Sequence, residues 1–307
     1  MAMKNEYNCV DVGTGNCPCR LATCSACIEC AKLQGKDCNQ CKWSGVCIYN
    51  ELSQNQGRVF TVRKEIVAPI VDKIIYDENF IVFVLEVGRS LAQRAKTVGS
   101  FVFARCVGAS RDFDMPISVL KTDISKGQIH IAVNKSGPKS DDIFKATKAI
   151  SIRGIYRSGL VGLSRLYEDA GKTVLLAKGI AIAPFYSVLE RMSRDERNNL
   201  YSFIDTEKIT LDFMKDYFGK LPVENLYYID FSKHQPLIET LIRQEKDNRT
   251  NFFALASPYY SEIIEEAAGG RVVKPNHANM CCGEGICGAC TFVDAFGRTV
   301  HSCKSPT

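Results

Sequence analysis

Cys282, Cys287 and Cys290 lie in the run NMCCGEGICGAC, separated by four and then two residues, and Cys303 follows after a further twelve. Thiolates at C-x4-C-x2-C with one distant partner are the spacing of a plant-type 2Fe–2S site. The residues between them fit that chemistry. Gly283, Gly285, Gly288 and Ala289 remove side-chain bulk where the backbone must pass close to bridging sulfides, and glycine also permits positive φ. The alternative, structural zinc, favours two C-x2-C knuckles, and this stretch holds one. The expectation is a 2Fe–2S cluster on Cys282, Cys287, Cys290 and Cys303, with Cys281 as a spare thiol.

A second thiol-rich stretch, CPCRLATCSACIECAKLQGKDCNQCKWSGVC, contains Cys17, Cys19, Cys24, Cys27, Cys30, Cys38, Cys41 and Cys47, with Cys9 upstream. Cys24-x2-Cys27-x2-Cys30 matches the C-x2-C-x2-C run of 4Fe–4S sites, with Cys17 before Pro18 as a remote fourth ligand. Cys27-x2-Cys30 and Cys38-x2-Cys41 also form the paired knuckles that zinc prefers. Thiolate suits both metals, so ligand type does not arbitrate. The reading places a second metal centre here, 4Fe–4S ahead of zinc. Trp43, beside these cysteines, is assigned to packing.

The remaining chemistry-bearing residues are sparse. Cys106 sits in FVFARCVGA and reads as a small buried apolar residue. His130, His234, His277 and His301 have no metal-ligand spacing, and neither GxSxG nor a Walker loop occurs. The net charge of +5 over 307 residues comes with no dense Lys/Arg run, which argues against nucleic acid as a partner. No apolar stretch is long enough to cross a membrane, and MAMKNEYNCV lacks the apolar core of a signal peptide. The expected setting is therefore cytoplasmic, reducing and anaerobic, where the 15 cysteines serve as ligands rather than disulfides.

Elements must position these thiols. Residues 1–56 show little apolar periodicity and need metal for stability, with ELSQNQGR as a polar exit linker. From Val59, short Val/Ile/Phe-rich runs (IVAPIVDKII, NFIVFVLEV, GSFVFARCV, MPISVLKTD, GQIHIAVNKSG) alternate with turn residues. That pattern predicts an antiparallel sheet or small barrel, with a helix over DDIFKATKAI. From about Gly171 the texture changes. KTVLLAK reads as a buried strand and APFYSVLERMSRDERNNLYSFI has helical spacing. KITLDFMKDYF, NLYYIDF, KHQPLIETLIRQEKD, NFFALA and PYYSEIIEEAAGG continue the alternation. Strand–helix alternation predicts a parallel sheet with crossover helices.

CGEGICGAC…C, GSFVFAR, MPISV and LLAKGIAIAP occur in an order that resembles the electron-transfer subunit of dihydroorotate dehydrogenase and its sulfide dehydrogenase-like relatives, in the ferredoxin–NADP reductase superfamily. The resemblance spans roughly residues 60–307. It implies an α+β multidomain chain with an FAD-binding antiparallel barrel (57–168), an NAD(P)-binding-like α/β domain (169–268) and a 2Fe–2S lobe (269–307); the Cys-rich metal segment (1–56) lies outside the resemblance and is read from its own residues. It further implies an oxidoreductase that passes electrons among a nicotinamide nucleotide, FAD and the cluster, toward a partner oxidoreductase subunit or ferredoxin in a hetero-oligomer.

Matched residue by residue, the family's R-x-[YIF]-S flavin motif falls on Pro116, Ile117 and Ser118, but Met115 replaces the phosphate-neutralising Arg. Arg111, four residues earlier, is the nearest candidate substitute. SGPKS supplies Gly137, Pro138, Lys139 and Ser140 as a pyrophosphate turn. RGIYRSG supplies Arg153, Gly154, Tyr156 and Gly159 in the family's R-G-P-[YF]-x-x-G stretch. The nucleotide turn, G-G-x-G-x-A-P in the family, reads Lys178-Gly179-Ile180-Ala181-Ile182-Ala183-Pro184, so Gly179 and Pro184 are retained while Lys178 and Ala181 add bulk. Ala256-Ser257-Pro258 stands where relatives carry Cys-Gly. These departures leave two expectations open: a relay that uses NAD(P)H, and one that takes electrons from a protein partner. A third, a non-redox scaffold holding zinc, is kept beside them.

Overall fold

The computed structural model describes residues 8–59, 63–246, 249–293, 297 and 299–305. Six strands form a closed antiparallel barrel: β1 (Glu65–Ile75), β2 (Phe80–Glu86), β3 (Phe101–Cys106), β4 (Met115–Asp123), β5 (Gln128–Asn134) and β6 (Ala149–Tyr156), in the order β1-β2-β5-β4-β3-β6. This is the six-stranded barrel that the resemblance implied. The inward side chains Ile81, Phe83, Leu85, Val102, Ile129, Ile131 and Ile152 are almost fully buried. Each stabilises the barrel by about 1.5–3 kcal/mol relative to exposure. On β1 the alternation leaves Val67, Val71 and Ile75 on the outer face. Helices α3 (Arg89–Ala95) and α4 (Pro138–Phe144) pack against the barrel. The second covers the first part of the expected DDIFKATKAI helix and stops at Phe144.

A second sheet runs β10 (Leu226–Tyr228), β9 (Leu200–Asp205), β8 (Lys172–Lys178), β11 (Thr250–Leu255), β12 (Val272–Pro275) and β7 (Leu160–Val161). Its pairings are parallel, as expected, except that β12 pairs antiparallel with β7. On one face α8 (Phe231–Glu245) and α9 (Pro258–Ala267) bury Phe231, Ile238, Ile242 and Ile264. On the other, α5 (Phe185–Leu189) and α7 (Leu211–Phe218) bury Phe185, Phe213 and Phe218 in a cluster that also contains Phe80, Val82 and Leu120 of the barrel. The barrel and the α/β layer therefore share one core. Two hydrogen bonds reinforce that seam, Tyr76 Oη to Asp216 Oδ2 at 2.8 Å and His130 Nδ1 with Tyr217 Oη at 2.8 Å.

Two local expectations change. The helical run from Ala183 divides into α5 and α6 (Arg194–Asn198) before β9 begins. Ser193 starts a new helix there, accepting from the Glu196 amide while the Glu196 carboxylate accepts from the Ser193 amide. The polar run ELSQNQGR is not a plain linker, because Ile48 and Leu52 are buried on α2 (Ile48–Gln54). They join Leu33, Ala22 and Cys30 in a small N-terminal core beside α1 (Arg20–Thr23). Trp43 packs there as expected, close against Gly13 and Gly45, with its Nε1 donating to Val46 O at 2.8 Å. Residues 291–293 (β13) and 299–301 (β14) pair antiparallel. Most of the hairpin-like DAFGRT turn between them lies outside the described residues.

Candidate functional site

The C-terminal thiols lie on the loop before this last hairpin and at its two ends. Cys290 immediately precedes β13, Cys303 follows β14, and both are buried. The Ser302 amide donates to Cys290 O at 3.1 Å, which holds the two cysteines side by side. Cys282 Sγ accepts from the Glu284 amide at 3.2 Å, with the amides of Cys287 and Ile286 nearby. The free thiols of Cys303 and Cys287 both neighbour Cys282, and Cys303 also neighbours Cys290. The neighbouring Cys303 thiol, backed by those amides, lowers the Cys282 thiol to about 3 against the pull of burial. The same contact, with burial, pushes Cys303 strongly upward. Cys281 is exposed. The described residues contain no group of three or more His, Cys, Asp or Glu side chains arranged around a single metal ion. The neighbour relations of the four thiols run in a chain, from Cys287 to Cys282 to Cys303 to Cys290.

The loop that carries Cys282 is fixed from the barrel side. Arg153 Nη1 donates to Cys282 O at 2.9 Å, and Tyr156 Oη lies 3.4 Å from the same oxygen. Gly283, at φ +71°, passes so close to the Tyr156 ring that an added Cβ would fall 2.3 Å from Cε1. Arg153 also pairs with Asp114 (3.2 Å), which itself pairs with Arg105. Arg153 and Tyr156, expected as flavin residues, are thus engaged with the cysteine loop, and Gly154 lies between them with Val102 3.1 Å from where its Cβ would be.

Below this loop lies a charge cluster that sequence reasoning missed. Arg63 donates to Asp11 (Nη2–Oδ1, 2.6 Å), to both Glu284 oxygens (2.9 Å each) and to Ile155 O (2.8 Å). Lys304 Nζ donates to Asp11 Oδ2 at 2.6 Å and Glu284 Oε2 at 3.0 Å. The side chains of Asp11, Arg63 and Lys304 are at most 2% exposed. Burial alone would raise the Asp11 carboxyl, but Arg63 and Lys304 outweigh it and hold the group below the usual carboxylate range. The Arg63 guanidinium also lies 4.3 Å from the Tyr156 ring centre. In the sequence Glu284 lies between Cys282 and Cys287, and Lys304 directly follows Cys303. Nothing in the sequence pairs it with a residue 293 positions away.

The N-terminal thiols divide into two sets. Cys17, Cys19 and Cys27 line one small cavity, and the Cys30 amide donates to Cys27 Sγ at 3.5 Å. Cys9 adjoins Cys19, and its amide donates to Glu29 Oε1 at 2.7 Å. A cavity of about 10 Å3 lies among Cys9, Cys17, Cys19 and Cys27, closed by Leu21 and Ile48. Burial pushes the Cys9 and Cys17 thiols up to about 12. Cys24 instead turns to Arg20 O (3.2 Å), and Cys38, Cys41 and Cys47 are exposed. Cys106 is half-buried rather than buried, its thiol donating to Asp142 O at 2.9 Å.

The expected flavin segments line a cleft of about 340 Å3 between barrel and α/β layer. Met115, Pro116, Ile117 and Ser118 form one wall, Asn134 and Ser136 the floor, and Ile180, Ala181, Ala183 and Pro184 the opposite wall. His277 stands at its edge, 3.3 Å from Ser261 Oγ. The Asn134 Oδ1 atom is buried there with no hydrogen-bond partner, a cost a ligand donor would relieve. In the next turn the Ser140 hydroxyl accepts from the Ser136 and Gly137 amides (2.8 and 3.0 Å). Pro138 and Lys139 are exposed, and Lys139 Nζ reaches Asp114 O at 3.0 Å. Arg111 points away to Glu65 (4.0 Å) and is largely exposed.

At the nucleotide turn, Gly179 has φ +58°, and a Cβ there would fall 2.6 Å from Glu207 O. The Lys178 ammonium is clamped by Asp205 Oδ2 at 2.5 Å and Glu207 Oε2 at 2.6 Å. Asp205 is held in turn by the amides of Phe231 and Glu207. Pro184 precedes α5, a helix of only five residues.

A closed six-stranded antiparallel barrel sharing a core with a mainly parallel α/β sheet is a ferredoxin–NADP reductase-like fold. The chain is structurally similar to an NADH-dependent reduced ferredoxin–NADP oxidoreductase, with a TM-score of 0.59 and 17% identity over 78% of this chain and 87% of that one. It is also similar to a full-length protein from Tepidiphilus thermophilus (TM-score 0.56, 15% identity), covering 81% of this chain and 42% of that one. A ferredoxin NADP+ reductase from Neisseria gonorrhoeae with bound FAD and NADP matches at TM-score 0.50 and 14% identity, covering 72% and 94%. No family model and no curated protein matches the sequence. Among the described residues no helix is long and apolar enough to cross a membrane.

Proposed function

We propose that the chain is an electron-transfer oxidoreductase: an iron–sulfur flavoprotein that relays electrons between FAD, a 2Fe–2S cluster and a partner oxidoreductase or ferredoxin. The observation that carries this reading is the convergence of Cys282, Cys287, Cys290 and Cys303, with the Glu284 amide donating to Cys282 Sγ at 3.2 Å and the Ser302 amide holding Cys290 beside Cys303. A two-iron rhomb takes thiolates in pairs, one pair per iron, and amide donors to sulfur stabilise the charged form. Bound FAD would supply the exchange between two-electron and one-electron chemistry. The cleft fits its apolar ring and offers Asn134 Oδ1 to a ring donor, with Ser118 and Ser136 beside it. The Cys17, Cys19, Cys27 and Cys30 group supports a second thiolate metal centre, 4Fe–4S ahead of zinc.

The Lys178 clamp favours the reading in which electrons arrive from a protein. A lysine spent on two carboxylates leaves net negative charge where a nucleotide phosphate would approach. The test is anaerobic purification of the native protein with metal, sulfide and flavin analysis and a low-temperature EPR spectrum of the reduced form. The expected result is FAD with a rhombic 2Fe–2S signal that Cys287→Ser and Cys303→Ser abolish. Zinc alone with no visible spectrum would replace this reading by the scaffold.

A further inference from the structure

The Asp11–Arg63–Glu284–Lys304 cluster joins three parts of the chain that are far apart in sequence. Asp11 belongs to the N-terminal cysteine segment, Arg63 leads into β1, and Glu284 and Lys304 belong to the C-terminal thiol site. The four form a closed ring in which each cation touches both anions. Contacts around it reinforce the joint: the Val10 amide donates to Lys304 O at 2.9 Å, and Leu21 lies 3.0 Å from where a Gly285 Cβ would stand. Glu284 is the residue whose amide donates to Cys282 Sγ, and Lys304 adjoins Cys303. The ring thus grips both arms that bring the four thiols together.

We infer that Asp11 is a positioning residue for the C-terminal thiol site, so that the N-terminal cysteine segment is a working part of that site and sets its redox potential. The inference rests on the reading of a 2Fe–2S cluster at Cys282, Cys287, Cys290 and Cys303. The ring's two cations and two anions sum to zero, with Asp11, Arg63 and Lys304 buried and Glu284 partly exposed. Without the Asp11 charge the ring carries one uncompensated positive charge directly behind the Cys282 loop, in a setting where charges are poorly screened. Reduction adds an electron to the thiolate site, so that positive charge favours the reduced form. Without Lys304 the imbalance is negative and acts in the opposite sense.

The experiment is a redox titration of the full-length holoprotein, followed by EPR of the reduced form, on the parent, Asp11→Asn, Asp11→Glu and Lys304→Gln. Exposed Glu224→Gln on the α/β layer serves as control. The inference expects the midpoint potential to rise in Asp11→Asn, fall in Lys304→Gln, return toward the parent in Asp11→Glu and stay unchanged in the control. If Asp11→Asn does not fold, the direction of the Lys304→Gln shift decides. Potentials in the folded ring variants that match the parent, or that move in the same direction for both charge removals, overturn the inference. A parent without iron and sulfide at these thiols instead overturns the underlying cluster reading, a separate outcome read before any variant is made.

Discussion

Replacing Gly283 by alanine is the sharpest test of how the cysteine loop sits on the barrel. Two independent costs act at this position. Its φ of +71° is a left-handed conformation, which costs a residue with a Cβ about 1–2 kcal/mol. The new methyl would also lie 2.3 Å from Tyr156 Cε1 and 2.8 Å from Cδ1. Tyr156 cannot swing away, because it is buried, stacked on Phe101 at 5.1 Å and covered by Arg63. Overpacking of this kind costs about 1–3 kcal/mol more, so Gly283→Ala should destabilise by about 2–5 kcal/mol in all. Gly288→Ala separates the two costs. It has φ +74° but its nearest neighbour is Thr291 Oγ1 at 3.9 Å, so it should lose only the backbone part, about 1–2 kcal/mol. Urea unfolding of the purified variants, monitored by circular dichroism, measures both. Equal losses for the two variants would refute the close contact between this loop and Tyr156.

Stopped-flow mixing of the holoprotein with NADH or NADPH should give no rapid flavin reduction, because Lys178 and its two carboxylates occupy the nucleotide turn. Reduction that saturates between about 1 μM and 1 mM would restore a nicotinamide-dependent reductase. Cys19→Ser and Cys27→Ser should lower the metal content of the N-terminal centre, whereas Cys38→Ser and Cys41→Ser should leave it unchanged. The opposite pattern would return the ligands to the paired knuckles. His130 is held neutral by burial, with Lys121 adding to the effect, and its folded value falls to about 4 from 6.5. The unfolded chain therefore takes up the proton first as pH falls. Stability should decline between about pH 6.5 and 4, and His130→Asn should flatten that part of a series of urea midpoints.

The barrel and the α/β sheet were legible because their strands are bounded apolar runs. NFIVFVLEV and KTVLLAK each became a strand buried on both faces, β2 and β8. The break at Ser193 was also written in the chain, as Ser-x-x-Glu, but the longer helical periodicity around it masked the capping box. The antiparallel β12–β7 edge left no local trace, since pairing between Pro275 and Leu160 depends on how distant segments meet. The candidate sites divide along the same line. C-x4-C-x2-C places three thiols by spacing alone. The motif that includes Cys24 takes no account of which way a short helix turns its side chains, and Cys24 Sγ faces Arg20 O. Arg153 and Tyr156 matched a flavin motif, yet what they touch is decided by a loop more than 120 positions downstream.

The contact between Asp11 and Lys304 also orders events during synthesis. On a ribosome the N-terminal thiols emerge first, and their buried neighbour appears 293 residues later. At about 5–20 residues per second that interval is on the order of 15–60 s. Throughout it, the surface that will face Lys304 and Gly285 is open, with Cys9, Cys17 and Cys19 beside it. Under the proposed reading of a second metal centre at those thiols, its metal has a window of entry that the arrival of the last strand closes. A nascent chain stalled before residue 300 would present the thiols to oxidants and to competing metals alike.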